Sequence, residues 1–489
     1  MNILLATPEA SPFARAGNLA EVIYGLSRAL VRSGNRVAIV IPLYRQVLRL
    51  GLPGSFTGRT ISVFLSCKSH DAEIFHATLE PGLDFYFIRQ DSLFDREGLY
   101  GTCYGDFQDN AERFVFFSRA VVEMVEVLEL EFDVCHCHDW QTGLVPVYAR
   151  TLYRDRRRWQ RLPVVYSVHN AGYQGIFPAY DFPLTGLDWG LLSSKALEFY
   201  GQINFLKGGL GFAGLLSTVS ARYREEILTP EYGCGLEGVF QERASELFGI
   251  PEGVDYSRWN TLNNAFLAAP YDQNHLEGKQ KCKALLMARF GLDLPKERPL
   301  IGMNTRLVER KGIDLVENIL EELMRLDVGF VLQGSGEERH KHLLQEIQNR
   351  HPDRMGLVLG YAEGLTHQII SGSDIFLMPS RYEPGGLDQL RCLRYGAVPV
   401  VRAVGGLDET IQEYNPDTGE GNGFKFPDDT PEGFMSAVRR AITFFHDTSA
   451  WEALIRNNMG LDFSWENVIP QYLEFYQQAR EKRERLLSG

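Results

Sequence analysis

Residues 374–410 read DIFLMPSRYEPGGLDQLRCLRYGAVPVVRAVGGLDET, a pattern that predicts a parallel βαβ unit. Its apolar runs and the helical spacing between them predict a strand, a helix and a second strand at residues 375–378, 387–395 and 397–401. A glycine pair follows each strand where a helix begins, first Gly385-Gly386 and then Gly405-Gly406. Glycine lets the backbone approach a ligand closely, and open α/β sheets bind ligands at such strand ends. The stretch therefore predicts a ligand site that contains the carboxylate of Glu383.

Strand and helix signals alternate along the rest of the chain, which predicts an α/β protein with parallel sheets. Upstream of the βαβ unit, the segment NTRLVERKG places Arg306 at a strand end and Lys311 at a helix start. A planar guanidinium and a compact ammonium in this position favour a clamp for a diphosphate. Solvated charges are also common at helix starts, but the neighbouring glycine turns favour the clamp.

The first βαβ unit of the chain carries a second candidate anion site. Its strand, helix and strand are predicted at residues 2–7, 19–33 and 36–42. The connecting loop places Arg15, Gly17 and Asn18 just before the helix N-terminus, where backbone N–H groups attract anions. The loop has no Gly-x-Gly-x-x-Gly pattern, so it is not a dinucleotide fingerprint. On this loop alone, a solvated surface arginine is an equally good interpretation.

Two further predicted strands end in polar pairs. His138-Asp139 closes the strand at 133–138, and His169-Asn170 follows the strand at 162–168. Two such pairs at one sheet edge favour a polar, sugar-like ligand. The run Cys135-His136-Cys137-His138 suggests a metal site, but alternate strand residues face opposite sides, which separates the cysteines from the histidines. No metal and no cofactor are therefore predicted.

Composition predicts a globular protein of two to four domains. The chain has 489 residues, of which 44% are hydrophobic and 23% are charged. A net charge of −13 argues against nucleic acid as a partner, because that binding relies on a basic field. Seven scattered cysteines indicate reduced thiols and a cytoplasmic location. The absence of a signal peptide and of a long apolar run predicts no membrane association.

Longer motifs resemble those of bacterial glycogen synthases and plant starch synthases, the nucleotide-sugar-dependent α-glucan synthases of the GT-B type. The resemblance spans nearly the whole chain. Its motifs are ATPEASPFARAGNLAEV, DNAERF, HDWQTGLVP, VHNAGYQGIFP, FLKGGL, TPEYGCGLEG, EGVDYSRWN, PSRYEPGGLDQL, GGLDET and the terminal FSW.

The resemblance implies two Rossmann-like domains that face each other across a deep cleft. It predicts an acceptor-side domain at residues 1–262, a nucleotide-sugar-binding domain at 263–462, and a helix at 463–489 that packs back on the N-terminal domain. The implied reaction transfers glucose from ADP-glucose to the non-reducing end of an α-1,4-glucan, with retention of configuration.

The resemblance also assigns roles to the residues that match the family's motifs. Arg306 and Lys311 match the pair that neutralises the diphosphate. Glu383 matches the carboxylate that holds the donor sugar, and His169 completes the predicted catalytic set. The chain has no Asp-x-Asp pair to hold a metal, so fixed cations and helix dipoles must meet the charge on the leaving diphosphate. The predicted substrate-binding residues are Arg15, Gly17, Asn18, Asp139, Asn170, Gly385, Gly386 and Leu387.

Two departures from the family pattern stand at or near these positions. The family's Lys-x-Gly-Gly loop is replaced here by Arg15-Ala16-Gly17-Asn18. The family's Asn before Gly-Val-Asp is Glu252. Arg391 stands where other retaining GT-B enzymes have a second glutamate, which this family often lacks. These changes bear on donor preference and acceptor binding more than on the fold.

Two alternatives remain open from the sequence. One is a related retaining glycosyltransferase with another donor, such as UDP-glucose, or another acceptor. The other is a glucan-binding paralogue without catalysis. Retention of Arg306, Lys311, Glu383 and His169 together favours an enzyme, because a binding module has no need of a leaving-group clamp.

Overall fold

The computed structural model describes residues 1–51, 54–102 and 104–488. Its strands are β1 (Asn2–Ala6), β2 (Arg36–Pro42), β3 (Ser55–Leu65), β4 (Lys68–Glu80), β5 (Leu83–Arg89), β6 (Gly101–Thr102), β7 (Gly105–Asp106), β8 (Val134–His138), β9 (Val164–Val168), β10 (Ile176–Pro178), β11 (Glu198–Phe199), β12 (Gln202–Asn204), β13 (Leu215–Thr218), β14 (Leu247–Gly249), β15 (Leu300–Leu307), β16 (Gly329–Gly336), β17 (Met355–Leu359), β18 (Ile375–Met378), β19 (Val398–Arg402) and β20 (Phe424–Phe426).

Its helices are α1 (Leu19–Arg32), α2 (Arg45–Arg49), α3 (Asp91–Phe94), α4 (Asn110–Val127), α5 (Leu144–Arg150), α6 (Arg157–Arg161), α7 (Phe205–Phe212), α8 (Ala221–Glu226), α9 (Glu237–Glu242), α10 (Glu277–Phe290), α11 (Ile313–Arg325), α12 (Glu338–Arg350), α13 (Glu363–Gly372), α14 (Asp388–Tyr395), α15 (Gly405–Thr410), α16 (Pro431–Phe445), α17 (Thr448–Gly460) and α18 (Trp465–Ser488). Short 3₁₀ turns lie at Trp140–Thr142, Ala179–Thr185, Trp189–Leu191, Ala244–Glu246 and Glu309–Lys311. None of the helices in these described ranges is long and apolar enough to cross a membrane.

The chain divides into two compact units. Unit 1 comprises Met1–Gly253 and Trp465–Gly489, and unit 2 comprises Val254–Ser464. The units therefore change over after Gly253 and before Trp465, whereas the predicted changes fall after residues 262 and 462.

Unit 1 is built on a nine-stranded sheet in the order β14-β13-β9-β8-β1-β2-β5-β4-β3. Strands β14 to β5 pair in parallel, as predicted. The hairpin β3–β4 joins them in antiparallel pairing and was not predicted, so the sheet is mixed. The chain runs from β1 to β2 on one side and reaches β8 on the other. The order of the strands therefore reverses between β1 and β8, the place where such sheets bind ligands.

The C-terminal helix α18 packs on unit 1, which confirms the prediction that it returns to the N-terminal half of the chain. It contacts α1, α6, β8 and β9. Tyr476, buried on its inner face, is hydrogen-bonded to Nδ1 of His136 at 2.8 Å. Arg32 of α1 forms an ion pair with Glu466 at 2.6 Å near the start of α18. A buried polar contact and an apolar face thus fix the register of α18 on the sheet.

Unit 2 is built on a six-stranded parallel sheet in the order β17-β16-β15-β18-β19-β20. The predicted strand at 375–378 is confirmed as β18, and the strand predicted at 397–401 is β19, which begins one residue later. The amphipathic helices α11 and α16 bury apolar faces against this sheet. The order of the strands reverses between β15 and β18, so the carboxyl ends of these two strands form the candidate ligand-binding edge of this unit.

Candidate functional site

In unit 2, Lys311 and Glu383 form an ion pair at the carboxyl edge of the sheet. Lys311 follows β15 and Glu383 follows β18, the two strands that pair across the reversal point. The Glu383 carboxylate also accepts a hydrogen bond from Oγ of Ser380 at 2.9 Å. Only 20% of the Lys311 side chain and 12% of the Glu383 side chain are exposed. Water therefore screens their charges less than it would on an open surface.

Arg381 anchors the loop that carries Glu383. Its guanidinium donates to both carboxylate oxygens of Asp314 in α11, at 2.5 and 2.7 Å, and to Asp429 at 2.7 Å. The hydrogen bond to Asp314 raises the pKa of Arg381 above its ordinary value. The backbone N–H of Arg381 donates to the carbonyl of Arg310 at 2.9 Å. The loops after β15 and β18 are thus tied to each other, which fixes the Lys311–Glu383 pair.

The two glycine pairs of residues 374–410 serve different purposes. The N–H of Gly406 donates to the carbonyls of Glu383 and Pro384 at 3.1 and 3.0 Å. A Cβ atom on Gly406 would lie 1.7 Å from the carbonyl oxygen of Gly385. Close approach of one backbone to another therefore explains the second pair, where the sequence indicated approach to a ligand. The first pair stays the predicted ligand contact, and Gly386 has a φ of 78°.

We expect Gly406→Ala to destabilise unit 2 by about 2 kcal/mol, because the added methyl group must push the Glu383 loop away. Gly360→Ala is the matched control, since a Cβ atom there meets nothing within 4 Å. The measurement is urea unfolding of both variants beside wild type. Equal stability of the two variants would contradict the backbone contact.

The remaining predicted residues of unit 2 lie at the same edge or beside it. Arg306 is exposed near the end of β15. Leu387 precedes α14 and is buried. Arg391 stacks its guanidinium 4.1 Å from the ring centroid of Trp259 and donates to Asp388. Arg391 is thus engaged in packing at the position of the second glutamate.

In unit 1, the loop after β1 folds around a buried carboxylate that the sequence analysis missed. Glu9 accepts hydrogen bonds from the backbone N–H groups of Ala16 and Gly17 at 2.6 and 2.9 Å, and from the hydroxyl of Tyr100 at 3.1 Å. Burial raises the pKa of Glu9, although these three donors oppose the shift. The backbone N–H of Gly17, in the predicted anion site, therefore binds an internal carboxylate, as does that of Ala16.

Arg15 and Asn18 lie in the same loop with different surroundings. Arg15 is half-buried and forms an ion pair at 3.5 Å with Glu21, a residue of the first turn of α1. Asn18 is exposed and precedes α1 with a φ of −76°. The position therefore needs no left-handed backbone, which explains why asparagine can replace the family's glycine there. Binding of an anion by Arg15 stays a prediction.

Asp139 follows β8 in a backbone conformation rare for non-glycine residues, with a φ of 58°. Its carboxylate accepts the backbone N–H of His169 at 2.8 Å. Burial raises its pKa, and the Glu252 carboxylate adds to that shift, while His169 opposes it. Backbone strain of this kind collects at functional sites. Asn170 turns its side chain to the N–H of Gly172 at 2.9 Å, within its own loop.

His169 has a partner at each ring nitrogen. Nδ1 lies 3.0 Å from Oε1 of Glu252, and Nε2 lies 3.1 Å from Nδ1 of His138. Burial lowers the pKa of His169, but the carboxylates of Asp139 and Glu252 outweigh it, so the net shift is upward. The structure thus brings Asp139 and His169 together as predicted, and adds Glu252 and His138.

Two histidines of β8, His136 and His138, are fully buried. The rings of His136 and His138 lie 3.9 Å apart between centroids, and the thiols of Cys135 and Cys137 lie 3.8 Å apart. The cysteines and histidines thus segregate to opposite faces of the strand. Burial lowers the pKa of both histidines well below 6.5. Within the described ranges, no group of three or more His, Cys, Asp or Glu side chains could hold a metal ion.

We expect the free energy of unfolding to fall as the pH drops below about 6.5. Below this pH, histidines in the unfolded chain bind a proton that His136 and His138 in the folded protein do not bind. Each contributes up to ~1.4 kcal/mol per pH unit, because the unfolded state then binds more protons. The measurement is the midpoint of urea unfolding against pH. His138→Gln should reduce the change of unfolding free energy with pH by up to ~1.4 kcal/mol per pH unit. His275→Gln removes a histidine whose side chain is 76% exposed, and it should leave this pH dependence unchanged. Equal slopes in both variants would contradict this origin.

The chain has two α/β units, one with a mixed sheet and one with a parallel sheet, and each carries charged side chains at its strand-order reversal; together with the family matches below, this makes it a glycosyltransferase of the GT-B class. The family described as "Starch synthase catalytic domain" matches residues 2–242, and "Glycosyl transferases group 1" matches residues 287–450.

Relatives extend these matches over the whole chain. It is 42% identical to a glycogen synthase from Koribacter versatilis and 40% identical to one from Syntrophotalea carbinolica, over at least 98% of each chain. The catalytic domain of starch synthase IV from Arabidopsis thaliana, bound to ADP and acarbose, superposes with a TM-score of 0.90 at 31% identity, covering 98% of this chain and 99% of that one. A sucrose-phosphate synthase from Thermosynechococcus elongatus, 15% identical with a TM-score of 0.60, shares the fold. The chain belongs to the glycogen synthase and starch synthase family.

Proposed function

We propose that the chain is a hexosyltransferase that moves glucose from ADP-glucose to the non-reducing end of an α-1,4-glucan, with retention of configuration. The observation that carries this proposal is the Lys311–Glu383 pair at the strand-order reversal of unit 2. Arg306 lies near the carboxyl end of β15, at the same edge of the sheet. The relatives named glycogen synthase support it, as does a related structure bound to ADP, the product that ADP-glucose leaves behind.

The chemistry assigns a separate task to each group. Negative charge develops on the diphosphate as the glucosyl bond breaks, and a fixed ammonium and guanidinium stabilise it without reorganisation. We assign this task to Lys311 and Arg306. A carboxylate accepts hydrogen bonds from sugar hydroxyls, the task of Glu383, beside the backbone of Gly385, Gly386 and Leu387.

Unit 2 then serves as the donor-binding domain and unit 1 as the acceptor-side domain. In unit 1, we propose that Arg15, Asp139, His169 and Asn170 form the sugar-side polar set, with Gly17 and Asn18 in the adjoining loop. The six cysteines in the described ranges are free thiols, which supports a cytoplasmic location, and Cys103 lies outside those ranges.

The test measures nucleotide release from ADP-glucose and from UDP-glucose, each with and without glycogen. Glycogen-dependent ADP release is the expected result, and elongation of the glucan by labelled glucose confirms the acceptor. Release that requires UDP-glucose or another acceptor would overturn the assignment of substrates. Co-sedimentation with glycogen without turnover would overturn the assignment as an enzyme.

A further inference from the structure

The loop after β14 carries a carboxylate that the proposed mechanism does not use. Glu252 follows β14, the outermost strand of the parallel part of the sheet, and its side chain is 10% exposed. The parallel sheet brings the ends of β14, β13, β9 and β8 to one edge. This arrangement places Glu252 against His169, which stands 83 residues earlier in the chain.

The contact between Glu252 and His169 joins two groups that are mostly shielded from solvent. Oε1 of Glu252 lies 3.0 Å from Nδ1 of His169, whose side chain is 11% exposed. A buried carboxylate is costly unless it is paired, and a histidine N–H is the partner that the geometry offers. Asp139 cannot take this place, because its carboxylate accepts the backbone N–H of His169 instead of the ring N–H.

We propose that Glu252 is a positioning residue: its carboxylate holds a proton on Nδ1 of His169 and fixes the orientation of that ring. The proposal rests on the proposed function in one respect, namely the role of His169 on the sugar side. It goes beyond the family pattern, because the family's asparagine at this position carries no charge.

The rest of the surroundings agree with a protonated ring. Nδ1 of His138 lies 3.1 Å from the other ring nitrogen of His169, and burial lowers the pKa of His138 well below its ordinary value. The charged groups that face His169 are Glu252 from the β14 loop, Asp139 from the β8 loop and Glu9 from the β1 loop, and all three are acidic. Their negative charges outweigh burial and raise the pKa of His169.

A pH dependence follows from this pair. While His169 carries a second proton, it compensates the charge of Glu252. As the pH rises through the titration of His169, the ring loses the positive charge that attracts an anion. Since the donor is itself an anion, kcat/KM for the donor is expected to fall along this limb. A neutral amide at position 252 stabilises the charged ring less, so the limb should move to lower pH.

The first experiment follows the ring directly by NMR in full-length protein labelled with ¹⁵N-histidine. A His169→Gln variant assigns the resonances of His169. In wild type, Nδ1 should stay protonated across the titration of the ring, and Glu252→Gln should move this titration to lower pH. Glu225→Gln removes an exposed carboxylate of unit 1 and should leave it unchanged. If the neutral ring of His169 in wild type carries its proton on Nε2, the proposal is overturned.

The second experiment measures kcat and KM for ADP-glucose against pH in wild type, Glu252→Gln and Glu252→Asn, which restores the family residue. Both variants should move the alkaline limb of kcat/KM to lower pH, and Glu225→Gln should not. A loss of stability with an unmoved limb would show a purely structural role and overturn the proposal. If wild type releases no nucleotide, the proposed function fails, while the NMR titration still decides whether Glu252 controls His169.

Discussion

Lys311→Ala is expected to lower turnover with ADP-glucose and glycogen by roughly 10²–10³-fold, which corresponds to a loss of about 2.7–4 kcal/mol of transition-state stabilisation. The structure places this ammonium on the carboxylate of Glu383, in surroundings where only a fifth of its side chain meets solvent. The charge is therefore held in position before the donor arrives, and no solvent has to reorganise as the diphosphate leaves. The fall should appear in kcat and kcat/KM together, because the interaction strengthens in the transition state.

Two companion variants separate this role from a general loss of charge. Lys341→Ala removes a lysine of the surface helix α12, where it pairs with Glu338, and should leave turnover unchanged. Arg306→Ala should resemble Lys311→Ala, since both cations are assigned to the diphosphate. Thermal melting checks that each variant is folded. Near-wild-type turnover in Lys311→Ala would remove the clamp from the mechanism.

The sequence predicted the strand ends of the site more readily than the partners of its side chains. Apolar runs and glycine turns are local signals, so β18 and the loop with Glu383 could be located from residues within one stretch. The pairing of Glu252 with His169 depends instead on β13 and β14 joining the sheet next to β9. No local pattern encodes that contact. The unusual charge of Glu252 is visible in the sequence, but its partner is not.

The N-terminal loop and the second glycine pair show a related limit. A glycine before a helix predicts close approach of something to the backbone, but it does not say of what. At Gly406 the neighbour is the carbonyl of Gly385, and at Gly17 the backbone N–H binds Glu9. The hairpin β3–β4 was missed for a different reason. Strand β3 buries only Ile61, Val63 and Leu65, a short period-2 pattern among polar residues, and on β4 the burial of adjacent Ile74 and Phe75 breaks the alternation.

Glu383→Gln is expected to lower kcat by roughly 10²-fold, because it removes one preorganised charged group while keeping the shape of the side chain. The amide oxygen can still accept the hydrogen bond from Ser380, so the loop should stay folded on its Arg381 anchor. What is lost is the charge that fixes Lys311 and that accepts hydrogen bonds from the donor sugar. The measurement is steady-state kinetics with ADP-glucose and glycogen, with Glu338→Gln as the surface control.

The double variant Lys311→Ala/Glu383→Gln then shows whether the pair acts as one unit. If each group worked independently, the two losses would multiply. Because the structure fixes Lys311 through Glu383, we expect the double variant to lose less than the product of the two single losses, while the lost contact of Glu383 with the donor sugar still adds to the loss from Lys311→Ala. Full multiplication of the two losses would mean that Glu383 acts on the sugar without positioning Lys311. A double variant as active as wild type would place the leaving-group chemistry elsewhere in the chain.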